Sequence, residues 1–111
     1  MFCSLPFAIW RFAIRRAYLI CYDVRQPNRL RKAHRTAKAY GEPWQYSVFY
    51  CLLKEIDRVR LEAAMSRVLN LKEDQLLIID LGQREEEGGG REGVTTLGPA
   101  LPVTETGVVV I

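Results

Sequence analysis

Asp23 is the side chain of this 111-residue chain whose position most favours chemistry. It is the only carboxylate before Gly41 and closes the apolar run AYLICYD, residues 17–23. In α/β arrangements ligands gather at such strand ends. Because Mg²⁺ prefers oxygen ligands and is often held by one or two carboxylates, Asp23 is the candidate metal ligand and catalytic residue for a magnesium-assisted hydrolysis. The alternative is an aspartate that caps the next turn or pairs with Arg25 or Arg29.

One carboxylate is a small ligand set for a divalent ion. A two-fold symmetric partner would supply a second copy of any residue that lies near the symmetry axis. The magnesium interpretation therefore predicts a homodimer in which the two Asp23 side chains share the metal.

The segment that follows Asp23 is strongly basic. From residue 24 to residue 41 there are six positive charges and no carboxylate: Arg25, Arg29, Arg31, Lys32, Arg35 and Lys38. Such a surface can follow a phosphate backbone, so these six residues are the predicted nucleic-acid-binding set. An ordinary solvated helix face is the alternative. His34 lies among these cations without an acidic neighbour to orient it, and is interpreted as a further polar residue rather than a general base.

The overall charge distribution bears on the same question. Up to Leu71 the chain has 13 Lys and Arg against five carboxylates, whereas from Lys72 onward three bases face eight acids. A basic first part suits a polyanion such as DNA or RNA, although scattered surface charge used for solubility is the other interpretation. With 49% hydrophobic and 26% charged residues, the composition is that of a single folded domain rather than a disordered chain.

The cysteines and the apolar runs bear on location. Cys3, Cys21 and Cys51 are odd in number and lack the close spacing of zinc sites or disulfide frameworks, which predicts a reducing, cytoplasmic compartment. No apolar run is long enough to cross a bilayer, so no membrane partner is expected.

Periodicity predicts the elements that must position Asp23 and the basic segment. The expected order is a buried strand over 17–23, a helix over 28–40, a long aromatic and β-branched strand over 44–53, a helix over 55–69 and a strand over 75–81. Leu30, Ala33, Ala37 and Tyr40 form the apolar stripe of the first helix. In the second helix, two apolar sets read together as one wide stripe: Ile56, Val59 and Ala63, and Leu61, Ala64, Met65 and Val68.

The two ends of the chain differ from this central part. Residues 1–16 are an N-terminal extension with no assigned role, and 83–93 (QREEEGGGREG) is predicted to be a flexible acidic, glycine-rich loop. Residues 94–111 form a tail whose last five residues, GVVVI, are too apolar for solvent. We expect this run to add an edge strand, and to do so across the dimer.

Several short motifs occur together in a characteristic order and spacing. They are YLICYD (18–23), NRLRK (28–32), Gly41 and QYSVF (45–49), followed by the second helix and the strand 76–81. Over roughly residues 17–82 this combination resembles the CRISPR-associated protein 2 family. The tail, with Leu97-Gly98-Pro99 and the final GVVVI, is similar to that of longer members.

The resemblance implies an α+β, ferredoxin-like βαββαβ sandwich over 17–82, here with an additional C-terminal edge strand, and a homodimer. It also implies a divalent metal near the paired strand-end aspartates, which maps onto Asp23, and a partner in the CRISPR integrase. A ferredoxin-like fold needs two strands between its helices, so the run 44–53 must be bent or divided. Two departures concern the site: many members have a second acid where Arg25-Gln26-Pro27 stands, and a basic residue where Pro43-Trp44 stands. The missing acid weakens the interpretation as a catalyst more than the interpretation as a scaffold.

Three functions are compatible with these observations. The first is a dimeric adaptor that binds duplex DNA with the CRISPR integrase during spacer acquisition in antiviral defence. The second is a magnesium-dependent endonuclease, acting on RNA or DNA through Asp23. The third is a regulatory ferredoxin-like module that binds a small molecule.

Overall fold

The computed structural model describes residues 14–84 and 93–99. Its elements follow the order β1 (Arg15–Asp23), α1 (Pro27–Lys38), β2 (Glu42–Gln45), β3 (Val48–Lys54), α2 (Glu55–Val68) and β4 (Gln75–Arg84). The strands form one antiparallel sheet in the order β2-β3-β1-β4. Both helices pack on the same face of this sheet. This is the predicted α+β, ferredoxin-like arrangement.

Strand β1 lies in the middle of the sheet and supplies the centre of the core. Its even-numbered side chains Tyr18, Ile20 and Tyr22 are buried beneath the helices, as the period of two in a strand requires. Phe49 on β3 and Met65 on α2 fill the same layer and are fully buried. The odd-numbered side chains of β1, which end at Asp23, therefore point to the opposite face.

Helix α1 begins and ends with recognisable signals. The Gln26 side chain accepts a hydrogen bond from the Arg29 backbone N–H at 2.8 Å, and Pro27 occupies the first helical position. The helix ends at Lys38, two residues before the predicted end. Gly41 then passes so close to β3 that an added Cβ would lie 2.3 Å from the Tyr50 carbonyl oxygen, which excludes any larger residue there.

The sequence predicted one strand over 44–53, but the structure has two strands there. The chain turns at Tyr46 and Ser47, so that β2 and β3 form a hairpin in which Gln45 pairs with Val48. No glycine, proline or asparagine lies at this turn, and the nearest of these residues is Pro43. The ferredoxin-like expectation of a divided run was right, and the continuous pattern of strand-forming residues concealed the division.

The wide apolar stripe expected on α2 is only partly buried. Leu61 and Met65 face the core, whereas Ile56 and Val59 are 44% and 47% exposed. At 100° per residue, Ile56 and Val59 project from the side of the helix opposite to Leu61 and Met65, and nothing in the described part of the chain covers them.

Two predicted boundaries move. Strand β1 starts at Arg15, so the extension assigned to 1–16 gives its last two residues to the sheet. Strand β4 continues to Arg84 and takes Gln83 and Arg84 from the predicted loop. A register shift next to Gly82, whose φ is 97°, lets β4 stay paired with β1 past Asp80.

The rest of the predicted tail is only partly observed. Residues 94–99 contain no helix or strand, and the predicted edge strand over 107–111 lies outside the described residues. Its exchange across a dimer stays a prediction. Of the helices within 14–84 and 93–99, none has the length and apolar character needed to cross a membrane.

Candidate nucleic-acid interface and metal-ligand position

The sheet face opposite the helices is apolar and is exposed along β4; we call it the open face. On its β1–β3 side it is partly covered, because Tyr50 is buried there and Leu19 shares a cleft of about 860 Å³ with residues 94–99. Leu19 of β1 lies beside Ile79 of β4, and Cys21 lies beside Leu77. Leu77 and Ile79 are 49% and 40% exposed in the described chain. A row of neighbouring apolar side chains on a sheet face is a feature of interaction surfaces rather than of a solvated one.

Asp23 lies at the end of this open face. It pairs with Gln75 at the first position of β4 and is exposed. Within the described residues its carboxylate accepts no hydrogen bond and forms no ion pair, so it neither caps the turn nor pairs with Arg25 or Arg29. The carboxylate is therefore available for a ligand.

The fit of this position to magnesium depends on a second carboxylate. In 14–84 and 93–99 no group of three or more His, Cys, Asp or Glu side chains could hold a metal ion. Asp23 alone supplies the oxygen chemistry that Mg²⁺ prefers but not a sufficient set of protein ligands. Because Asp23 ends the open face, two copies joined through that face could bring their two carboxylates together.

The basic residues of α1 fall into two groups. Arg25, Arg31, Lys32 and Arg35 are exposed and Lys38 is half-buried, and none of these five forms an ion pair in the described chain. Lys32, Arg35 and Thr36 also line a shallow depression of about 390 Å³ together with Val68 of α2. These five positive charges remain free to meet phosphate groups.

Arg29 differs from the other predicted nucleic-acid-binding residues. Its guanidinium forms salt bridges with Asp74 and Glu73, each at 2.8 Å. Asp74 is buried, and the Arg29 guanidinium together with backbone N–H donors lowers the pKa of its carboxyl well below the usual value. The two members of this pair are 45 positions apart, so no local sequence pattern indicates it.

His34 is held in a polar contact beneath the hairpin. Its Nδ1 lies 3.0 Å from the Tyr22 hydroxyl, which also reaches the Tyr46 carbonyl at 3.3 Å, and its ring packs edge-on against Phe49. Burial, and secondarily the positive charge of Lys38, lowers the pKa of His34. In this half-buried position the ring links α1 to the hairpin.

A second cleft, of about 580 Å³, lies between α2 and the outer end of β1 and β4. Its walls carry charged pairs: Arg16 with Asp80 at 3.0 Å, and Arg58 with Glu62. Small-molecule sites are mostly apolar with a few convergent polar groups, so this cleft offers little support for the small-molecule module.

The fold class is thus ferredoxin-like, with an exposed carboxylate at the end of its first strand and a basic first helix. The sequence model of the family described as CRISPR associated protein Cas2 matches residues 16–87. The chain belongs to this family.

Two curated relatives support the match. The CRISPR-associated endoribonuclease Cas2 of Geobacter sulfurreducens is 40% identical over 68 residues, which span 61% of this chain and 72% of the relative. The CRISPR-associated endoribonuclease Cas2 1 of Rhodospirillum rubrum is 32% identical over 95 residues, 86% of this chain and 90% of the relative.

Solved structures agree on the fold. A hypothetical protein from Thermus thermophilus superposes with a TM-score of 0.62 at 33% identity, covering 77% of this chain and 95% of its own. Cas2 of Streptococcus pyogenes gives a TM-score of 0.61 at 24% identity, covering 74% and 99%. At that identity the second likeness supports the fold alone.

Proposed function

We propose that this protein is a homodimeric adaptor that binds duplex DNA together with the CRISPR integrase during spacer acquisition. The observation that carries the proposal is that the chain has two chemically different surfaces. The open face of the sheet is apolar and suits a second copy of the chain, whereas the exposed side of α1 is basic and suits a phosphate backbone. A dimer built on the first surface would carry two copies of the second.

A dimer would remove the apolar side chains of the open face from water. A monomer would leave Leu77 and Ile79 half-exposed beside Leu19 and Cys21. Burying apolar area stabilises an association by roughly 25 cal/mol per Å², and a two-fold axis across this face would make it self-complementary. Such a dimer would also bring together the open-face ends at which Asp23 lies.

DNA binding would depend on charge rather than on base sequence. The five free cations, Arg25, Arg31, Lys32, Arg35 and Lys38, come from one turn and one helix. Contacts of this type position a protein on the duplex and release counterions. Affinity should therefore fall steeply as the salt concentration rises.

A direct test measures duplex binding by fluorescence anisotropy at several salt concentrations. With Arg31, Lys32 and Arg35 all changed to Gln, binding should weaken at least tenfold and the salt dependence should become shallower by roughly three contacts. The matched control is Arg60→Gln, which removes an exposed charge from α2. Equal salt dependence in the wild type and the triple variant would overturn the proposal.

A second candidate, a magnesium-dependent endonuclease, is favoured by the free carboxylate of Asp23. The relatives from Geobacter sulfurreducens and Rhodospirillum rubrum are both named endoribonucleases. A magnesium ion shared by the two Asp23 side chains would supply an activated water and neutralise charge on the phosphate. Asp23 would hold the ion, and the cations of α1 would orient the strand beside it.

Comparison of Asp23→Asn with the wild type separates the two candidates. Loss of magnesium-dependent RNA or DNA cleavage, with duplex binding intact, supports the endonuclease. Equal cleavage by both proteins, purified identically, would assign the activity to a contaminant or another site. The adaptor requires only that the Asp23→Asn protein still binds duplex DNA.

A further inference from the structure

The side chain of Asp74, at the entry to β4, is completely buried. Its Oδ1 accepts from the Arg25 backbone N–H at 3.0 Å and from Arg29 Nη2 at 3.2 Å. Its Oδ2 accepts from Arg29 Nε at 2.8 Å and from the Asn70 backbone N–H at 2.9 Å. A carboxylate has about four acceptor positions, so every position is used.

These donors come from three separate segments of the chain. Arg25 belongs to the turn that follows Asp23, Arg29 to the first turn of α1, and Asn70 to the loop that leads from α2 to β4. The residue after Asp74, Gln75, is the ladder partner of Asp23. Asp74 thus holds in place the turn that connects Asp23, the candidate metal ligand, to the start of the basic helix α1.

We propose that Arg29 and Asp74 form a buried anchor that positions Asp23 and the basic side of α1, and that Arg29 is not itself a phosphate contact. The inference rests on the proposed function for the surface that is positioned. To reach a phosphate, Arg29 would have to leave a fully buried carboxylate without the only charged partner that it has among the described residues, which is strongly unfavourable. Glu73 further offsets its charge at the surface.

The salt dependence of DNA binding separates a positioning residue from a phosphate contact. Arg29→Gln and Arg35→Gln each remove one positive charge from α1. If Arg35 contacts phosphate, its loss should reduce the slope of log affinity against log salt by about one. Arg29→Gln should leave that slope unchanged, because the charge it removes is already neutralised. An equal reduction by both variants would overturn the anchor.

A second measurement tests positioning directly and uses the conservative variant. Lysine keeps the charge of Arg29 but cannot bond both oxygens of Asp74 through a planar fork. In Arg29→Lys, hydrogen exchange at the Arg25 and Asn70 amides should therefore accelerate at least tenfold. Exchange at the core amides of Ile20 and Phe49 should change less, since a purely global loss of stability would accelerate all four together.

The two measurements fail in different ways. Full protection of Arg25 and Asn70 in Arg29→Lys, or equal acceleration at all four amides, would overturn the anchor even if DNA binding depends on salt as proposed. A wild type whose DNA binding ignores salt would remove the proposed function, yet selective exchange at Arg25 and Asn70 would still establish the anchor.

Discussion

On the side of the sheet covered by the helices Ile20 and Phe49 are fully buried, whereas on the open face Leu77 and Ile79 remain 49% and 40% exposed. Both faces are built from β-branched, leucine and aromatic residues, and alternation along β1 and β4 divides these residues between them. Similar side chains thus form a buried core on one face and a partly exposed surface on the other. The hydrophobic content of a strand therefore does not distinguish the core of a subunit from a surface for association.

The largest contrast between the faces should be in the stability of the single chain. Phe49→Ala would empty a site packed against the rings of Tyr22 and His34, and should cost about 3–5 kcal/mol in the free energy of unfolding. Leu77→Ala should cost less than ~1 kcal/mol at a protein concentration where any dimer has dissociated, because little area is lost from the monomer.

Urea unfolding followed by circular dichroism provides both values. Comparable losses for Phe49→Ala and Leu77→Ala would mean that the open face is covered within the chain, and the contrast between the two faces would disappear.

The open face should instead govern association. Changing Leu77 and Ile79 together to Lys would bury like charges at a two-fold interface, and should weaken dimerisation by roughly 100-fold or more. The matched control changes Ile56 and Val59 of α2 to Lys, since these are exposed to a similar degree but lie on the opposite side of the molecule.

Sedimentation equilibrium measures the mass of each protein in solution. If the Leu77/Ile79 variant stays as tightly associated as the control, the dimer forms through a surface other than the open face.

A smaller effect should distinguish the faces by pH. The pKa of His34 on the covered side is lowered by burial, so between about pH 6.5 and that lowered value the unfolded chain binds a proton that the folded chain does not. Stability should therefore be greatest above pH 6.5 and decline as the pH falls through this window. Scanning the melting temperature from pH 8 to pH 5 should show a steeper decline for the wild type than for His34→Gln, and parallel curves would contradict the burial of a neutral imidazole.

The smallest expected effect is chemical and leaves the fold unchanged. Cys51 lies on the covered side, fully buried, and burial raises its pKa to about 12, whereas Cys21 on the open face is only half-buried. In a Cys3→Ser background, a thiol reagent at pH 8 should label Cys21 first and Cys51 only after unfolding. Mass spectrometry of the labelled peptides gives the order, and slower labelling of Cys21 at higher protein concentration would support a dimer through the open face. Labelling of Cys51 at the rate of Cys21 would contradict the assignment of the two cysteines to different faces.

Local patterns were sufficient for much of the fold and part of the candidate site. The run before Asp23 predicted a strand, and the stripe predicted for α1 is buried at Ala33 and Ala37, whereas Leu30 is 38% exposed. The division of 44–53 was missed because Ser47 is only a weak turn signal within a run of strand-forming residues. The exposure of Ile56 and Val59 was missed because periodicity reports which residues share a helix face but not which face the rest of the chain will cover.

Apart from the division of 44–53, local sequence patterns were sufficient for the order of elements, the position of Asp23 at a strand end and the concentration of positive charge in α1. Each of these depends on neighbours within a few residues, where backbone propensity and alternation act. The tertiary structure was needed to show that Arg29 pairs with Asp74, whereas Arg31 and Arg35 have no carboxylate partner among the described residues. These arginines have the same chemistry and similar surroundings in the sequence, and the distinction arises because folding brings a buried carboxylate from 45 positions away to one of them.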